Sequence, residues 1–127
     1  MSTAARKEED LRFERLYGAE IDRRVRPWTE AGAALLIDAD GGTGFGGSGA
    51  RLDWRSLGNW STHSPDKRIE WALAGGLSDD VVAKAIGLAR PTAVDVASGT
   101  ESPRGVKSPE RIRRFCAAAR AGWPQAG

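Results

Sequence analysis

The sequence predicts an α/β fold, a parallel sheet joined by helical crossovers, from three observations. Short apolar runs recur at residues 33–37, 69–74 and 93–96, each closes on glycines or an out-of-place carboxylate, and a segment of helical character follows each. That repeated order suits parallel strands, because a strand can return beside its predecessor in the same direction only through a crossover.

The first run, Ala33-Ala34-Leu35-Leu36-Ile37, is short and continuous, which predicts a strand buried on both faces, and it ends in Asp38. Before it, residues 8–26 are charge-rich with Leu11, Leu16, Tyr17, Ile21 and Val25 at roughly helical spacing, and Pro27 is expected to interrupt that helix. Residues 1–32 therefore read as a helical segment leading into a second unit, 33–127. The stretch from Gly41 to Gly49 is too glycine-rich for helix or sheet and reads as a loop. Leu52 to Leu57 reads as the start of a short helix, and Asn59 to Lys67 as a polar connector.

Ile69 to Ala74 is the second strand, halted by Gly75-Gly76. Ser78 with Asp79 and Asp80 reads as a helix start, a side-chain oxygen for the free amides followed by negative charge at the positive dipole end. Val81, Val82, Ala85, Ile86 and Ala89 continue that helix until Pro91. Ala93-Val94-Asp95-Val96 is the third strand, closed by Ser98-Gly99. The last helix is capped by Ser108 with Pro109 at its first position, and Ile112, Phe115, Cys116 and Ala119 form its apolar stripe.

Composition excludes several classes of partner. Nineteen Lys and Arg against seventeen Asp and Glu leave a charge of +2, too even for a nucleic-acid or membrane surface. One cysteine excludes an internal disulfide, and a single histidine leaves no zinc-like cluster, so no metal is expected. No apolar run reaches the ~18 residues of a membrane span, and no signal-like segment follows Met1 to Lys7. A cytoplasmic chain with small-molecule partners is the expectation.

Chemistry concentrates at the strand ends. Asp38, after five apolar residues, is either a buried polar group with partners or a catalytic carboxylate at a pocket rim. Asp95, between Val94 and Val96, is either a buried Asp bonded to a neighbouring loop or a second site residue. Gly75-Gly76 and Ser98-Gly99 follow successive strands, where bare backbone N–H groups can surround an anion. Gly46-Gly47-Ser48-Gly49 lacks the Gly-Lys-Ser/Thr of a nucleotide loop, so nucleotide binding is rejected. His63 reads as solvent-exposed, Cys116 as a buried inert thiol, and Arg111, Arg113, Arg114 and Arg120 as the solvated side of the last helix.

Together, Leu35-Leu36-Ile37-Asp38, Gly46-Gly47-Ser48-Gly49 with Leu52-Asp53-Trp54, Leu73-Ala74-Gly75-Gly76-Leu77, and Val94-Asp95-Val96-Ala97-Ser98-Gly99-Thr100-Glu101 with Gly105-Val106-Lys107 resemble the phosphoribosylanthranilate isomerase family. The resemblance runs from about Ala33 to Gly122 and follows that family's sixth strand through eighth helix. It implies a partial (β/α)₈ barrel, since three strands fall far short of a closed barrel of at least ~200 residues.

It also implies roles. Asp38 matches the general acid that protonates the furanose ring oxygen, a role that needs a carboxylic acid and is favoured by an apolar strand end. Asp95 matches a second substrate-facing carboxylate, Gly47 lies in the mobile loop over the substrate, and Gly75, Gly76, Ser98 and Gly99 match the phosphate site. No cofactor is implied. The family's general base, a cysteine ending the first strand, has no counterpart in this sequence, which implies a chain inactive by itself. The partners expected are a phosphorylated small molecule and either a second copy or a complementary N-terminal half-barrel. The rival reading is a non-catalytic phosphate-binding or assembly module.

Overall fold

The structure is a computed structural model that describes residues 18–39, 53–64 and 69–124. A helix whose described part covers 18–30 (α1) precedes β1 (Leu35–Asp38), α2 (Trp54–His63), β2 (Trp71–Ala74), α3 (Val82–Ala89), β3 (Ala93–Val94), a 3₁₀ turn (Ser98–Thr100) and α4 (Pro109–Gly122). The sheet runs β1-β2-β3 with both pairs parallel, as the alternation of strand and helix predicts.

The helices cover one face of this sheet. Residues two apart on a strand share a face, so Ile37, Leu73 and Val94, which are in register, point together toward the helices. There Leu73 meets Leu57 of α2 and Val82, Ala85, Ile86 and Ala89 of α3 in one buried cluster. Each large aliphatic side chain so buried contributes about 1.5–3 kcal/mol. Trp60 of α2 stands edge-on to Trp71 of β2, ring centroids 5.5 Å apart. Gly58 lets α2 approach α3, because a Cβ there would lie 1.8 Å from the Leu88 carbonyl oxygen. Ile21 of α1 belongs to the same core, and the Ser64 hydroxyl at the end of α2 donates to Asp22 of α1 at 3.3 Å.

Several expectations are corrected. β1 is not buried on both faces: its burial alternates, and Leu36 is 63% exposed because no described element covers that side of the sheet. The helix of residues 18–30 passes through Pro27, which sits in its last turn and whose carbonyl accepts from Ala31 N at 3.3 Å. Asn59 to His63 is the second half of α2 rather than connector, its start capped by Asp53, which accepts from Ser56 N at 2.7 Å. α3 begins at Val82; the Ser78 carbonyl, not its hydroxyl, takes the Val81 and Val82 amides, and Asp79 and Asp80 lie in the preceding turn. On α4 the stripe narrows to Phe115 and Ala119, while Cys116 is exposed, because α4 packs chiefly on α3 and the 3₁₀ turn and so covers only one flank. Ser108 caps α4 as expected, accepting from Arg111 N.

Candidate functional site at the strand ends

Parallel strands put all their C-terminal ends on one edge of the sheet, and every described residue singled out at those ends gathers there. Asp38 is the last residue of β1 and pairs in register with Ala74, the last of β2. One step beyond the Leu73 and Val94 pair, the Asp95 amide donates to the Leu73 carbonyl at 2.8 Å, so Asp95 extends β3 beside Ala74. Asp38, Ala74 and Asp95 therefore form one row across the sheet. By strand alternation both carboxylates rise from the face opposite the helices, about 10 Å apart at two strand spacings.

Both carboxylates are exposed. The expectation that an apolar strand end shields Asp38 is thus not met by the described residues, nor is the buried reading of Asp95. The covered apolar side chains of β1 and β2 face the helices, on the far side of the strand from these two groups.

The glycines have a second use that their sequence does not reveal. Gly75 has φ +100°, and a Cβ there would stand 2.5 Å from Asp38 Oδ1 and 3.0 Å from Ala39 N. A side chain at 75 would displace the carboxylate, so Gly75 makes room for Asp38 as well as forming the turn. Gly99 lies against the same loop: its Cβ would meet the Leu77 carbonyl oxygen at 2.1 Å. The 75–77 loop and the Ser98–Thr100 turn are consequently one continuous surface of backbone. Among the described residues no backbone carbonyl takes the amides of Gly75, Gly76, Ser98 or Gly99.

Next to that surface is a polar cluster to which the sequence reading gave no role. Lys107 Nζ donates to Ala97 O at 2.8 Å, to Glu101 Oε2 at 3.0 Å and to Thr100 Oγ1 at 3.3 Å. Glu101 Oε1 in turn accepts from Gly105 N at 2.7 Å. The Gly105 N–H, then the Lys107 ammonium, hold the Glu101 carboxyl below its ordinary range. The signal was visible only as Glu101 and Lys107 six residues apart, which nothing in a sequence distinguishes from solvated charge.

Gly47 falls outside the described residues, as does the rest of its loop. His63 is exposed at the end of α2, its Nδ1 2.9 Å from the Asn59 carbonyl. No group of three His, Cys, Asp or Glu side chains among the described residues is arranged to hold a metal. No described helix is long and apolar enough to cross a membrane.

Comparison with known proteins gives this arrangement a family. The family model of N-(5'phosphoribosyl)anthranilate (PRA) isomerase matches residues 7–118. A relative from Rhodospirillum rubrum, named N-(5'-phosphoribosyl)anthranilate isomerase, is 41% identical over 107 residues, 82% of this chain and 46% of that protein. Among solved structures, N-(5'-phosphoribosyl)anthranilate isomerase from Pyrococcus furiosus superposes with a TM-score of 0.58 at 25% identity, covering 81% of this chain and 44% of that one. A phosphoribosyl anthranilate isomerase in complex with reduced 1-(o-carboxyphenylamino)-1-deoxyribulose 5-phosphate matches with a TM-score of 0.55 at 28% identity, covering 80% of this chain and 43% of that one. The chain thus spans about half the length of the relatives it matches. On the match over residues 7–118, and with its parallel sheet and glycine-lined strand ends in agreement, the chain belongs to the phosphoribosylanthranilate isomerase family.

Proposed function

We propose that this chain is the acid-bearing, phosphate-binding half of a (β/α)₈-barrel isomerase that converts N-(5'-phosphoribosyl)anthranilate to 1-(2-carboxyphenylamino)-1-deoxyribulose 5-phosphate in tryptophan biosynthesis. The observation that carries the reading is the row of Asp38 and Asp95 beside two packed glycine loops at one sheet edge, in a chain of this family. Asp38 gives its proton to the furanose ring oxygen as the C1'–O bond breaks, and the ribose opens to a Schiff base. Removal of a proton from C2' then gives an enolamine that becomes the ketose. Asp95 faces the sugar, and the amides around Gly75, Gly76, Ser98 and Gly99 hold the 5-phosphate. Proton transfers suffice for this chemistry, and no metal or organic cofactor takes part.

The proton at C2' requires a base. Cys116 is exposed on α4, which packs on α3 on the covered side of the sheet, and cannot fill that role. The complementary half of the barrel supplies it, together with the strands that cover Leu36 and shield Asp38. Acting by itself the chain is inactive, and its open sheet face favours pairing with that half or with a second copy. The workplace of such an enzyme is the cytoplasm. A non-catalytic phosphate-binding or assembly module is the second reading, favoured by the same exposed Leu36.

The test is complementation. The chain is mixed with the first five βα units of the Rhodospirillum rubrum relative, and consumption of phosphoribosylanthranilate is followed by fluorescence. Activity in the mixture and none in either part supports the half-barrel reading. Robust turnover by this chain as a monodisperse monomer overturns it, and a stable mixed complex without turnover favours the assembly module.

A further inference from the structure

The 98–100 turn would have to present its amides to an anion in a fixed direction, yet little apolar packing holds it. Ala97 and Ser98 are exposed, while Thr100 is buried and Gly99 packs against Leu77. The polar contacts are correspondingly dense. Ala97 O accepts from Thr100 N at 3.2 Å, Thr100 Oγ1 at 2.9 Å and Lys107 Nζ at 2.8 Å. The loop that brings Lys107 back is closed by the bridge between Glu101 and Lys107 and by Ser102 N donating to Val106 O at 2.8 Å. Ser108 N then donates to Thr100 O at 2.9 Å, joining the turn to the start of α4.

We infer that Lys107, braced by Glu101, is a positioning residue for phosphate: it clamps the 98–100 turn so that the Ser98 and Gly99 amides stay aimed at the anion. This rests on the phosphate reading above. An ammonium has three N–H donors, and Lys107 points them at Ala97 O, Thr100 Oγ1 and Glu101 Oε2. No N–H is left over for a phosphate oxygen, so the lysine acts through the turn rather than on the ligand. Glu101 is fixed from the other side by the Gly105 amide, and its side chain is only 14% exposed.

The sign of one substitution separates this clamp from simple charge attraction. Glu101→Gln removes a negative charge near a bound anion, which by Coulomb's law alone tightens phosphate binding. The clamp requires the opposite, since the lysine loses its counter-charge and the turn loosens. The experiment titrates the full chain with inorganic phosphate and follows the backbone amide resonances of Ser98 and Gly99 by NMR, with far-UV circular dichroism as a check on folding. The Kd is expected to rise about tenfold in Lys107→Met and about threefold in Glu101→Gln, with dichroism unchanged. If Lys107→Met fails to fold, Glu101→Gln decides. Saturable binding in the unsubstituted chain that Glu101→Gln keeps or tightens overturns the clamp alone. No saturable shift in the unsubstituted chain overturns the phosphate site itself, and the clamp with it.

Discussion

The two faces of the same three strands could hardly be more different. On one, Leu73 and its in-register neighbours are sealed under α2 and α3; on the other, Leu36 and the carboxylates of Asp38 and Asp95 stand open. Strand alternation makes the difference, since a single residue step moves a side chain from one environment to the other. The covered face contributes stability that this chain makes for itself. The open face carries the candidate chemistry, and its surroundings depend on what else covers the sheet.

Substitutions that split the two faces test this most directly. Leu73→Ala empties a fully buried site and should destabilise the chain by about 2–5 kcal/mol, read as a lowered denaturant midpoint. Asp38→Asn should do the reverse: in the complemented barrel, turnover falls ~10²-fold or more while the denaturant midpoint barely moves. Unchanged turnover would make Asp38 a structural residue only. Gly75→Ala touches both worlds, because the positive φ strains any Cβ and the same atom displaces the Asp38 carboxylate. Its expected cost is about 1–3 kcal/mol of stability, together with lost turnover in the complemented barrel.

Leu36→Ser should change stability by less than about 0.5 kcal/mol, as exposed positions generally do. Its effect belongs instead to association: sedimentation should show weaker pairing with a second copy or with the complementary half. Undiminished pairing would mean that this face is not the one that is covered.

The smallest effect is expected on acidification. Because contacts to Gly105 N–H and Lys107 lower the Glu101 pKa in the folded chain, Glu101 contributes stability above its ordinary value of 4.5. That contribution is lost as pH falls through the lower folded value. Thermal melts should therefore show the gap between the native chain and Glu101→Gln shrinking below about pH 4.5, and a constant gap would count against the clamp.

Much of the candidate site's placement was legible because it is written in local chemistry. Glycines at strand ends, a carboxylate closing an apolar run and a Ser-Pro helix start each act within a few residues, and Ser108 caps α4 as read. What failed to show was whatever depends on a neighbour. The apolar stripe of α4 included Cys116 by spacing, but the packing partners cover only the Phe115 and Ala119 flank. The run through Leu36 looked buried on both sides, because hydrophobicity records what a residue tolerates and not what lies against it. The Lys107 cluster was invisible for a related reason: a lysine becomes a clamp only when the chain folds back to put three acceptors around it.

From its sequence alone, this protein has its order of strands and helices, its family and the short list of residues at the strand ends, since apolar period, glycine and capping chemistry act locally. Tertiary structure alone decided that Asp38 and Asp95 share a row, that Gly75 yields its side-chain space to Asp38, and that Gly99 packs on Leu77. Those are facts of parallel register and of approach between segments some twenty to sixty residues apart in the chain, which no local pattern of residues encodes.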